Sequence, residues 1–233
     1  MSNHLGKHFE QFLWLDNERE KAISIAFDGT YTIQSLLLAP FVSYPESDNR
    51  YTKNTYIMPI KEKWFVFWGG TNQFINYHYV YEIQRYAYDL VILKDGQSYC
   101  DAPTRNENYY AFNKEIVAPA DGEVVKVMEG VKDNVPGEMD EGQPEGNCVV
   151  IKHSNNEYSM IAHFKQNSIL VKDGENVQKG QVIGLCGNSG NSSEPHVHFQ
   201  VMDSPNYYNG QSIRIQFEDR AEAIQGEVVR PYN

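Results

Sequence analysis

The chain has 233 residues, a formal net charge of −11, and 41% hydrophobic, 22% charged and 13% aromatic residues. That length and composition suit a packed globular protein and argue against a mostly disordered one. The acidic balance, with no basic patch, argues against a nucleic-acid partner and against simple electrostatic attachment to an anionic membrane.

No apolar run reaches the roughly 18 residues of a membrane span, and polar residues follow Met1 where a signal peptide would have its apolar core. Cys100, Cys148 and Cys186 lack a Cys-x-x-Cys spacing and read as small thiols that fix no redox compartment. Residues 5–27 have apolar residues at mixed spacing, which allows one or two short helices. Residues 30–60 give short β-favouring pieces broken by Pro40, Pro45 and Asp48-Asn49. Residues 63–70 read as an aromatic strand closed by Gly69-Gly70, and 81–93 as one long strand with a turn at Asp95-Gly96.

Residues 114–128 read as strand, turn, strand. Residues 129–146 are acidic and rich in Gly and Pro, hence a loop, and their carboxylates lack the ligand spacing of a calcium loop. A hairpin over 147–164 has Asn155-Asn156 at its tip. Strand, turn and strand follow over 168–187, then a loop at 187–195 and strands at 196–203 and 212–217. So many short strands predict a mainly β protein with antiparallel sheets. The expected division is an N-terminal appendage (1–62), a main domain (63–217) and a tail (218–233).

His196 and His198, in Pro195-His196-Val197-His198, are two apart on an expected strand and so point to one face. A histidine pair after a Gly/Asn/Ser loop suits metal binding or acid–base work. His163 lies on the second strand of the 147–164 hairpin.

Several tracts in order resemble the lysostaphin- and LytM-like zinc endopeptidases that cut bacterial peptidoglycan. They are Val117 to Gly122, Asn147 to His153, Tyr158 to His163, Val171 to Gln181, Gly187 to Gly190, and Pro195 to Phe199. The resemblance implies a lysostaphin-like β core of the duplicated hybrid-motif type and one zinc per chain. It also implies His198 and Asp89 as zinc ligands, with His163 and His196 assisting the reaction. Where the family pattern has its first ligand histidine, four residues before Asp89, this chain has Arg85. A guanidinium offers no lone pair, so Arg85 cannot bind zinc. His78 is the substitute we expect. On one unbroken strand His78 and Asp89 would face opposite ways, so a bend near Tyr81–Glu82 is a condition of that choice.

The function implied is a zinc metalloendopeptidase acting on peptidoglycan stem peptides or cross-bridges, in the cell envelope or outside the cell. Residues 98–113 and 129–146 are candidate groove walls. Two alternatives stand beside it: a catalytically degenerate relative that binds or assembles, which the loss at position 85 would suit, and a phosphocarrier with paired histidines.

Overall fold

The computed structural model describes residues 2–4, 10–218 and 222–232. The chain is mainly β, as expected. An eight-stranded sheet runs in the order Asn176–Val177, Gly122–Met128, Asn147–Lys152, Tyr158–Phe164, Val197–Met202, Tyr88–Val91, Trp64–Trp68, Val228–Val229. All of its neighbours are antiparallel. Alternation along each strand divides the sheet's two faces. Val197, Phe199 and Val201 join Leu90, Val149, Ile151 and Ile161 in the main core. Each such side chain contributes about 1.5–3 kcal/mol by leaving water. The intervening residues Asp89, Ala162, His198 and Gln200 therefore point to the opposite face.

Short accessory pairs close the core side. Glu115–Val117 pairs antiparallel with Val182–Leu185. Tyr51–Tyr56 pairs parallel with Arg214–Phe217. Tyr56, Met58 and Ile60 sit in the main core, so the last part of the 1–62 segment shares that core with the strands that follow.

Two expectations of local structure are corrected. The described part of 5–27 is not helical: Glu10–Leu15 and Lys21–Phe27 are antiparallel strands of a separate four-stranded sheet, while residues 5–9 lie outside the described residues. Ala22, Ser24 and Ala26 are buried at a period of two, and Asp16 Oδ1 fixes the turn by accepting the amides of Glu20 and Lys21 at 2.8 and 3.2 Å. The 81–93 stretch is not one strand either. Its strand is only Tyr88–Val91, preceded by turns closed by Gln84 N–H to Tyr81 O and Ala87 N–H to Gln84 O. The tip of the 147–164 hairpin is a short 3₁₀ turn with Asn155 and Asn156 at positive φ, a conformation asparagine tolerates well.

Candidate metal centre and cleft

Asp89 and His198 are directly opposed on neighbouring strands. Cross-strand neighbours approach closely enough for side chains to meet, and Asp89 Oδ1 lies 3.0 Å from His198 Nδ1. The far side of that ring is also held: His198 Nε2 lies 2.9 Å from Gln200 Oε1. Gln200 donates its own amide to Ile83 O, which orients its oxygen as the acceptor. His198 therefore carries its proton on Nε2 and turns the Nδ1 lone pair toward Asp89 when neutral.

His78 comes to the same carboxylate from outside the sheet. It lies in a 3₁₀-helix, Tyr77–Val80, whose N-cap is Asn76. Asn76 Oδ1 accepts the His78 amide at 3.2 Å and faces His78 Nδ1 at 2.9 Å. The Asn76 amide nitrogen reaches Gly70 O, Arg85 O and Ala87 O, tying the helix to the turns that lead into Tyr88–Val91. With Nδ1–H donated to Asn76, the free lone pair of His78 is on Nε2. That atom is buried without a hydrogen-bond partner and lies 3.4 Å from Asp89 Oδ2. The bend foreseen near Tyr81–Glu82 is thus a full departure from the sheet.

His163 owes its position to a bulge. Ala162 pairs with His198, so the next residue of a regular strand would face the core. The register with Asn147–Lys152 shifts at this point, and His163 takes φ +67°, which re-aims its ring as bulges do. Its ring centroid lies 4.6 Å from that of His196 and 5.9 Å from that of His198. His163 Nδ1 lies 2.8 Å from Ser189 O. His196 Nδ1 lies 2.9 Å from Glu194 O, and its Nε2 lies 3.7 Å from Asp89 Oδ1. Both rings donate to backbone through Nδ1 and keep Nε2 free for proton transfer.

The loop that carries Ser189 is locked by close backbone approach. Gly190 has φ +80°, and a Cβ there would lie 2.4 Å from Gly146 N. Only glycine fits such a contact without displacement.

Burial and the neighbouring groups together set the charges. It lowers His78 to about 3, with the Asp89 carboxylate only partly opposing, and lowers His163 well below the ordinary histidine value. For Asp89, burial favours the neutral acid, but the rings of His78, His196 and His198 outweigh it and hold the carboxyl well below the usual range. Burial also works against charge on His198, and Asp89 outweighs it to raise that histidine. A neutral His78 beside an ionised Asp89 suits a divalent cation, and His198 would give up its proton on joining them. His78, Asp89 and His198 each offer a donor atom, and these atoms lie within 4.8 Å of one another. Imidazole and carboxylate ligands of this number match catalytic zinc sites.

Arg85 is directed elsewhere. Its guanidinium lies 3.5 Å from the centre of the Tyr44 ring, with Nε donating to Tyr79 O and Nη1 to Ser47 Oγ. Clefts flank the cluster of His78, Asp89 and His198 on two sides, and Tyr77 and Asn191 line both. The 129–146 loop contributes Met139, Glu141, Pro144 and Glu145 to their walls. Asn76 and Gln200, which orient His78 and His198, were not singled out from the sequence. An Asn two residues before His78 and a Gln two residues after His198 were the available signals.

The fold and the site thus define an antiparallel β protein with a two-histidine, one-carboxylate cluster at the foot of a cleft. Residues 108–214 match the model of Peptidase family M23, a family of zinc metallopeptidases. His163, His196 and His198 fall inside the match, and His78 and Asp89 precede it. Among curated relatives, the peptidoglycan DD-endopeptidase ShyA of Vibrio cholerae is 44% identical over 57 residues, 24% of this chain and 13% of that protein. ShyC of the same organism is 30% identical over 95 residues, 41% of this chain and 21% of that protein. The chain therefore spans about a fifth or less of those relatives' length. Among solved structures, the catalytic domain of lysostaphin from Staphylococcus simulans aligns with 19% identity and a TM-score of 0.35, over 73% of this chain and 93% of that one.

Proposed function

We propose that the chain is a zinc metalloendopeptidase that hydrolyses peptide bonds of peptidoglycan, with His78, Asp89 and His198 holding one zinc ion. The observation that carries this reading is His78 Nε2, a buried nitrogen with no hydrogen-bond partner beside an ionised carboxylate. Leaving such an atom unpaired costs about 1–3 kcal/mol, and a cation between His78, Asp89 and His198 removes that cost. The names of the curated relatives, peptidoglycan DD-endopeptidases, support the substrate class.

Zinc held there supplies Lewis-acid polarisation of the scissile carbonyl and acidification of a water molecule. The chain's own residues do the rest. His163 and His196, each anchored through Nδ1, present Nε2 to the cleft, where they take a proton from the attacking water, stabilise the oxyanion and protonate the departing amine. Asn76 and Gln200 fix the tautomers of the ligand rings. Arg85, turned away onto Tyr44, takes no part.

The test is digestion of purified peptidoglycan by the zinc-loaded protein, with released fragments identified by mass. Release of peptide fragments that stops on removal of zinc supports the reading. No release by protein carrying its zinc would overturn it in favour of a binding module.

A further inference from the structure

Glu145 has no part in the chemistry above, yet it is nearly buried. It is 5% exposed and lines the same cleft as His163 and His198. A carboxylate so placed ordinarily gathers several short hydrogen bonds or a close ion pair. Glu145 has two long contacts for its carboxylate: Lys126 Nζ at 3.4 Å and the Tyr208 hydroxyl at 3.4 Å. Both partners come from the solvent side, since the Lys126 side chain is 37% exposed and Tyr208 61% exposed.

Around this carboxylate the cleft is aromatic. Tyr77, Tyr81 and Tyr207 line it with Met160. Tyr77 and Tyr81 are 42% and 53% exposed, so both rings are open to a ligand in the cleft. Tyr207 is held by donating its hydroxyl to Gln84 Oε1 at 3.1 Å. Tyrosine rings lining one cleft with a carboxylate held by two long contacts suit a cation, because the ring quadrupole and the carboxylate favour the same sign of charge. An anionic or neutral group there would leave Glu145 only its long contacts to Lys126 and Tyr208.

We infer that Glu145, with Tyr77, Tyr81 and Tyr207, is a specificity subsite for a protonated primary amine on the substrate peptide, beside the bond presented to the metal ligands. This rests on the proposed peptide-binding function of the cleft. The amine displaces Lys126 from Glu145 and lies against the tyrosine rings. Peptides whose side-chain amine is free are therefore selected over those in which it is acylated.

The test separates this selectivity from catalysis by measuring binding to metal-free protein. The probes are a muropeptide with one free side-chain amine and the same muropeptide acetylated at that amine, compared by calorimetry. The parent is expected to bind the free amine about tenfold or more tighter, in line with a charge-assisted contact in a desolvated site. Glu145→Gln is expected to bind both forms with the affinity the parent has for the acetylated one. Lys126→Ala removes the competing ammonium and is expected to tighten binding of the free amine by about two- to fivefold, a gain that loss of structural support would not give. Equal affinity of the parent for both probes, binding of neither, or a preference that survives in Glu145→Gln would overturn the inference. A preference with no hydrolysis of peptidoglycan by zinc-loaded protein would sink the peptidase reading and leave the subsite standing.

Discussion

Asn76 Oδ1 lies 2.9 Å from His78 Nδ1, while the amide nitrogen of the same side chain bonds Ala87 O at 3.2 Å, two residues before Asp89. One buried amide thus sets the tautomer of His78 and its distance from the carboxylate. Partners of this kind typically govern metal affinity by 10–100-fold. Asn76→Ala should weaken zinc binding by about that factor, measured by competition with a chromophoric chelator. Unchanged affinity would mean that His78 is held by packing alone.

His163 combines a left-handed backbone with a proton-transfer role in our account. His163→Asn keeps a residue that tolerates φ +67° and removes the imidazole. Peptidoglycan hydrolysis should fall by about 10²–10⁴-fold, the usual worth of general acid–base catalysis, with zinc content unchanged. The comparison needs both assays on one preparation. Hydrolysis within a few-fold of the parent would remove His163 from the mechanism.

The buried histidines also set a pH dependence for the metal-free protein. His78 is lowered to about 3 by burial, His153 is lowered by burial against the pull of its bond to Asp121 O, and His163 is lowered well below its ordinary value. Each is thus less protonated in the fold than in the unfolded chain, and takes up protons on unfolding below about pH 6.5. Stability should therefore fall as pH drops from about 6.5 to 5, with uptake of up to about three protons per chain on unfolding. His198 is raised, so its contribution is complete below about 6.5 and fades as pH rises through its folded value. Denaturant midpoints measured across this range read the slope. A flat profile between pH 6.5 and 5 would contradict the neutral assignments.

The sequence exposed the parts of this site that follow fixed periods or motifs. His196 and His198, two apart, lie by one carboxylate because strand alternation needs nothing but local geometry. Arg85 directed attention to His78 because the family pattern has a ligand histidine at that position and a guanidinium cannot bind zinc. What was not legible depends on tertiary contacts. The 3₁₀-helix at Tyr77–Val80 is built on Asn76, whose partners include residues up to 11 positions along the chain. The bulge at His163 is a register shift between strands, invisible in the residues of either one. The hairpin over Glu10–Leu15 and Lys21–Phe27 was hidden because its mixed apolar spacing fits two periods, and pairing with Ile33–Pro40 chose the strand.

The central claim is that His78 completes a zinc site from which Arg85 is excluded. The direct measurement is zinc per chain, by elemental analysis, in protein purified without added metal, for the parent, His78→Ala and His198→Ala. The account predicts about one zinc per parent chain and little in either variant, since each leaves too few ligands for a catalytic zinc site. Zinc retained at the parent level in folded His78→Ala would contradict it.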